Sequence, residues 1–138
     1  MADYRKIQAD ATAVSLENVG SLNNSLTVTE STTLTVAQSG SDIYVGTDAL
    51  VQTLPLMSAG LEYTFINSGA DGAVLLLVEP SDGSIYGTIA NAAADSVLAS
   101  ASNVGNTKAT AIRGNWIKLS TDGTAWYAVG GVGIWAEV

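Results

Sequence analysis

The chain has 138 residues, the size of one domain, and a formal net charge of −8 from 13 acidic and five basic side chains, which argues against a phosphate-tracking nucleic-acid surface. It contains no cysteine and no histidine, so disulfides, thiolate or imidazole metal sites and histidine-dependent catalysis are excluded. No run of about 18 apolar residues is present that would span a membrane as a helix.

Only 13% of the residues are charged although 47% are hydrophobic, roughly half the usual charged share. So low a charge fits a domain rich in uncharged loops, or one that covers part of its surface with a partner. The acidic balance reads as solubility or as attraction to a basic partner surface.

Residues 1–25 differ from the rest. They hold two of the five basic side chains, Arg5 and Lys6, and end in the polar stretch Asn18–Ser25. Ile7, Ala11 and Val14 fit one helical stripe that Thr12, Ala13 and Leu16 blur. A weak helix, an extended arm ordered against another chain and a frayed terminus all fit. The start of the chain lacks the apolar core of a signal peptide, so synthesis and assembly in the cytosol are expected.

From Leu26 the pattern turns to strands. SLTVTES and TTLTVAQS are near-duplicates at a spacing of eight, each alternating apolar residues with Thr, as half-buried strands do. One such copy is too few for a solenoid. Asp42–Val45 and Ala49–Leu54 follow, the latter stopped by Pro55. Leu61–Asn67 places Leu61, Tyr63 and Phe65 inward, with Glu62 and Thr64 outward.

Ala73–Val78 reads AVLLLV, with no alternation. A strand this apolar is covered on both faces, by a loop or arm or by another subunit, and Leu76 is a candidate intersubunit contact. Asp71-Gly72, Asp82-Gly83 and Asp122-Gly123 sit between apolar runs and read as turns. None lies in the spaced series of acidic ligands that a calcium loop needs. Val97–Ala101 reads as a short strand, Asn103–Asn106 as a turn, and Lys108–Ile112 as a segment pairing with the last hairpin.

That hairpin is built from Asn115–Thr121 and Thr124–Gly130. A two-residue turn at Asp122-Gly123 pairs Leu119 with Trp126 and Ile117 with Ala128 on one face. Trp116, Lys118, Tyr127 and Val129 share the other. All three tryptophans lie in this closing stretch. Trp116 and Tyr127, adjacent in this register, form either a packing surface for another subunit or an aromatic platform for a sugar. Gly130, Gly131 and Gly133 let the backbone bend before the final strand. The fold expected is all-β, a sandwich or jelly-roll-like barrel of roughly ten short strands over 26–138 with an N-terminal arm over 1–25.

Carboxylate pairs are the one serious basis for catalysis here, with Glu62, Glu79, Asp42, Asp48 and Asp95 available. Glu62 falls on an outward face and Glu79 at a strand end, and Ser120 beside Lys118 lacks an oxyanion-forming loop. The expectation is a protein that is not an enzyme and uses no cofactor or metal.

Three segments, TLTVAQSGSDIYVGTDALVQTLP, AGLEYTFINSGADG and GNWIKLSTDGTAWYAVGGVGIW, occur in an order that resembles small decoration (cement) proteins of tailed-phage capsids, and also head modules of phage fibres. The resemblance implies a virion protein, made in the host bacterial cytoplasm, that binds the major capsid protein on the outside of the mature shell as a homotrimer. It implies no nucleic-acid or membrane partner. Tyr4, Arg5 and Ile7 of the arm, with Leu76, Trp116 and Tyr127, are the expected capsid or intersubunit contacts. A fibre or receptor-binding head and a carbohydrate-binding module are the alternatives.

Overall fold

The computed structural model describes residues 24–138. Twelve strands among them build two sheets. In chain order they are β1 (Ser25–Val28), β2 (Thr32–Thr33), β3 (Asp42–Val45), β4 (Leu50–Leu54), β5 (Glu62–Asn67) and β6 (Leu76–Pro80). There follow β7 (Ile85–Ile89), β8 (Ser96–Ala101), β9 (Val104–Asn106), β10 (Trp116–Thr121), β11 (Trp126–Val132) and β12 (Trp135–Ala136). The larger sheet runs β1-β3-β5-β10-β11-β7-β8 and the smaller β12-β9-β6-β4-β2. The expected all-β sandwich is therefore what the chain forms.

The first six strands alternate between the sheets. β1, β3 and β5 lie side by side in the larger sheet, and β2, β4 and β6 in the smaller, all in parallel. Each new strand thus stacks on the one laid down a full circuit earlier, with Thr32 beside Gln52, 20 residues on. Half of the ten pairings among the described residues are parallel. The spacing of eight between the two Leu-x-Val copies is only the step from one sheet to the other, since β1 and β2 are not neighbours.

Alternation fixes which residues meet between the sheets. Ile43, Val45, Tyr63, Phe65, Ile117, Leu119 and Trp126 face inward from the larger sheet, and Leu34, Leu54, Leu76, Val78, Val104 and Trp135 from the side of the smaller one. Each such side chain, fully buried, contributes about 1.5–3 kcal/mol. The rings of Tyr63 and Trp126 sit 6.1 Å apart at 48°, and the Tyr63 hydroxyl donates to the Thr35 carbonyl at 2.7 Å.

The closing hairpin differs from its expected register. Thr121 pairs with Trp126 and Leu119 with Ala128, so the loop holds Asp122, Gly123, Thr124 and Ala125. The Asp122 carboxylate accepts from the amides of Thr124 and Ala125 at 2.8 and 3.1 Å, and the Thr121 hydroxyl donates to the Ala125 carbonyl at 2.7 Å. These bonds favour the four-residue loop. A bulge between Lys118 and Leu119 then resets the ladder.

Two further expectations give way. Val104–Asn106 is strand β9, not a turn, and Lys108–Thr110 is a 3-10 turn with no partner strand. Asn106 is wholly buried because a chain of amides satisfies it: Asn67 Nδ2 donates to its Oδ1 at 2.8 Å, and its own Nδ2 donates to the Ile134 carbonyl at 3.1 Å.

Candidate interface face

With the inward residues committed to the core, the outward ones of the larger sheet define its exposed face. The register sets Thr27, Tyr44, Ile66, Trp116 and Val132 in one row across β1, β3, β5, β10 and β11. At the usual strand spacing the row is about 19 Å long. Four of its five members are aromatic or aliphatic. Trp116, between Ile66 and Val132, is half-buried because its ring lies over Gly130, where a Cβ would come within 3.3 Å of the ring. Val132 at the end is 51% exposed.

The next rows are more polar. Lys118 lies beside Thr64 and reaches Glu62 at 3.0 Å, while Ser120 pairs with Tyr127 and Tyr127 with Tyr86. The two exposed tyrosine rings are 6.2 Å apart, tilted by 33°. Exposed Val97 and Val129 add to the apolar surface on this side of the chain. Asp42, beside Thr64, adds a charge to the row of Lys118; an exposed apolar row of this kind marks an interaction site more often than bare solvent-facing sheet.

The sequence-predicted contacts fall out differently from one another. Trp116 is a member of the row, between Ile66 and Val132. Tyr127 is on the same face but opposite Ser120, four residues along β10 from Trp116, about 13 Å away at strand rise. The adjacent Trp116–Tyr127 pair is thereby corrected, because the register slipped by two and Tyr127 stacks on Tyr86 instead. Leu76 has no exposed surface; it points into the core, so it is not available to a neighbour. Tyr4, Arg5 and Ile7 lie outside the described residues.

The doubly apolar strand has a local explanation. Val74, Leu76 and Val78 point inward, while half-buried Leu75 and Leu77 lie above Gly105 with Val138. The C-terminal residues are held there by bonds from Ser102 to the Glu137 carboxylate and between Asn103 and Val138. The hydrogen bonds from Ser102 hold the Glu137 carboxyl below its ordinary range.

The carboxylates weighed for catalysis are dispersed. Glu62 pairs with Lys118, and Asp48 pairs with Lys108, whose hydrogen bond lowers the Asp48 pKa. Among the described residues no group of three or more acidic side chains is placed to hold a metal ion.

Sequence reasoning missed Tyr44, Ile66 and Tyr86. Their outward phase was readable from Ile43-Tyr44-Val45 and Phe65-Ile66-Asn67, but their adjacency depends on parallel pairing. The three resembling segments contribute β3, β5, β10 and β11, the four neighbouring strands that carry the apolar part of the row. No known protein-family profile matches the chain, and a search of curated proteins finds no match either.

Proposed function

We propose that this chain is a structural protein of a tailed-phage virion, which docks on the outer surface of the mature capsid as a homotrimer and reinforces the shell. The observation that carries the reading is the row Tyr44–Ile66–Trp116–Val132 on the outside of the larger sheet, formed by the strands that bear the resemblance. An apolar row flanked by few charges, Asp42 and the Glu62–Lys118 pair, suits burial against a protein surface.

The mechanism is physical. A mature capsid offers the same site many times, and a trimer presents its docking face three times. The second and third contacts then form at high effective concentration, so weak single contacts sum to firm attachment. Contacts that bridge neighbouring capsid subunits oppose their separation under internal pressure.

Mature capsids stripped of the protein, mixed with purified chain and sedimented, test this reading. Wild-type chain co-sediments, and the Ile66→Ser/Trp116→Ser variant remains in the supernatant while keeping its fold by circular dichroism. Wild-type chain that stays in the supernatant at every concentration overturns the capsid reading. The exposed Tyr86–Tyr127 pair favours a second reading, a carbohydrate-binding module. Retention of glycans that Tyr127→Ala abolishes is its test.

A further inference from the structure

The three turn-forming pairs Asp71-Gly72, Asp82-Gly83 and Asp122-Gly123 share one reactive chemistry. In each, the glycine amide nitrogen can attack Cγ of the aspartic acid before it, since no glycine Cβ obstructs the approach. The new N–Cγ bond closes a five-membered succinimide, and the carboxyl oxygen leaves as water with the amide proton. Water then adds to one of the two imide carbonyls. Addition at Cγ restores aspartate, and addition at the α-carbonyl leaves the main chain running through Cβ, as isoaspartate. One water leaves and one returns, so nothing is oxidised or reduced.

Access does not rank the three pairs, because all six residues are exposed and all three glycines take positive φ. Hydrogen bonding does. The Gly72 amide donates to the Ala111 carbonyl at 2.8 Å, and Asp71 accepts from the Arg113 amide at 2.9 Å. The Gly123 amide donates to the Thr121 hydroxyl at 3.0 Å, and Asp122 accepts from the amides of Thr124 and Ala125. An amide that donates is turned toward its acceptor and gives up that bond before its nitrogen can reach Cγ. Among the described residues the Gly83 amide has no such acceptor, and Asp82 accepts one bond, from the Met57 amide at 3.2 Å. The chain is anchored on both sides of this pair. The Ser81 amide donates to the Leu54 carbonyl at 3.2 Å, and the Ser84 carbonyl accepts from the Trp126 amide at 3.0 Å.

We infer that Asp82 is a site of spontaneous isoaspartate formation in the folded protein, while the bonds of the Gly72 and Gly123 amides protect Asp71 and Asp122. The product lengthens the main chain by one atom and exchanges the side-chain carboxylate for a free α-carboxylate, so the net charge is unchanged. Cγ becomes a peptide carbonyl carbon. The anchors at Ser81 and Ser84 confine the change to the tip between β6 and β7, and the sheets keep their register. The inference goes beyond the virion reading and does not depend on it.

Full-length chain held in warm neutral buffer made with heavy-oxygen water, then peptide-mapped by mass spectrometry, reads all three sites at once. Isoaspartyl peptides carry one heavy oxygen and elute apart from the parent peptide. In the folded chain, conversion at Asp82 should exceed that at Asp71 and at Asp122 by at least about fivefold, the factor that one retained hydrogen bond is worth. In guanidinium chloride the three sites should convert alike. Thr121→Val takes the acceptor from the Gly123 amide and should raise conversion at Asp122 by a similar factor, at unchanged circular dichroism. Asp82→Glu, which would need a six-membered ring, should give no product at that position. Folded-chain conversion at Asp82 no faster than at the other two sites overturns the inference. Unchanged conversion at Asp122 in Thr121→Val also overturns it, since amide donation then gives no protection. Neither result bears on whether the chain sediments with capsids.

Discussion

Asp122 stands at the tip of the closing hairpin, and the amides of Thr124 and Ala125 that it accepts hold its carboxyl below the ordinary value. Asp48 and Glu137 are lowered likewise, by Lys108 and by Ser102. A lowered folded-state pKa gives stability that is full above the unfolded value and lost as pH falls through the folded one. With no histidine in the chain, no side chain of ordinary pKa titrates between about pH 5 and 8. The melting temperature is therefore expected to be flat from about pH 5.5 to 7.5 and to fall below about pH 4. The triple variant Asp48→Asn/Asp122→Asn/Glu137→Gln should show a shallower fall by scanning calorimetry, and an unchanged acid limb would refute the assignment. Ala49, at the start of β4, carries a φ of 63°, where Cβ crowds the following carbonyl. Ala49→Gly should raise unfolding free energy by about 0.5–1 kcal/mol in a urea titration, the relief of strain exceeding the added chain entropy.

The closing hairpin was legible as an element while its register was not. Asp122-Gly123 announces a turn, but the loop length depends on whether Thr121 and Asp122 can satisfy the amides that a longer loop exposes, which they do. Between the loop and the bulge the slip is two residues, which leaves the side chains there on their expected faces, since the strand period is two; beyond the bulge it is three. For that reason the inward set Ile117, Leu119 and Trp126 was readable and the Trp116–Tyr127 adjacency was not. The β11–β12 corner depends on Gly133, at φ 110°, where a Cβ would stand 2.5 Å from the Asn115 side chain. Asn115 Oδ1 accepts from the Ile112 amide at 3.0 Å, so the residue cannot withdraw without orphaning a partly buried donor. Gly133→Ala should cost about 2 kcal/mol or more, read as a lower urea midpoint at unchanged slope. A loss smaller than about 0.5 kcal/mol would show that the corner yields freely.

For the molecule as a whole, the decisive quantity is solution mass. Light scattering after size exclusion should give three times the 14.1 kDa chain, independent of dilution over the micromolar range. Ile66→Ser/Trp116→Ser tests whether the row belongs to the trimer contact: it then gives a monomer of unchanged circular dichroism, since both side chains are outward and only half-buried. A double variant that remains trimeric would assign the row to the capsid side alone. A monomeric wild-type chain at all concentrations would remove the trimer from the proposal.

By itself the sequence determined what depends on neighbours along the chain. Alternation in stretches such as Leu61–Asn67 fixed the strands and their inward residues, and the Asp-Gly pairs marked turns whose glycines take positive φ at 72, 83 and 123. Tertiary structure alone decided which strands lie together. Parallel pairing joins residues 17 to 26 apart in the first half, and β10 slots between β5 and β11 from about 50 residues further on. The bonds that hold strands together are backbone bonds, identical for every residue but proline. A side-chain period of two therefore announces which face a residue takes, and leaves its neighbour across the ladder to be settled by how all the strands close around one core.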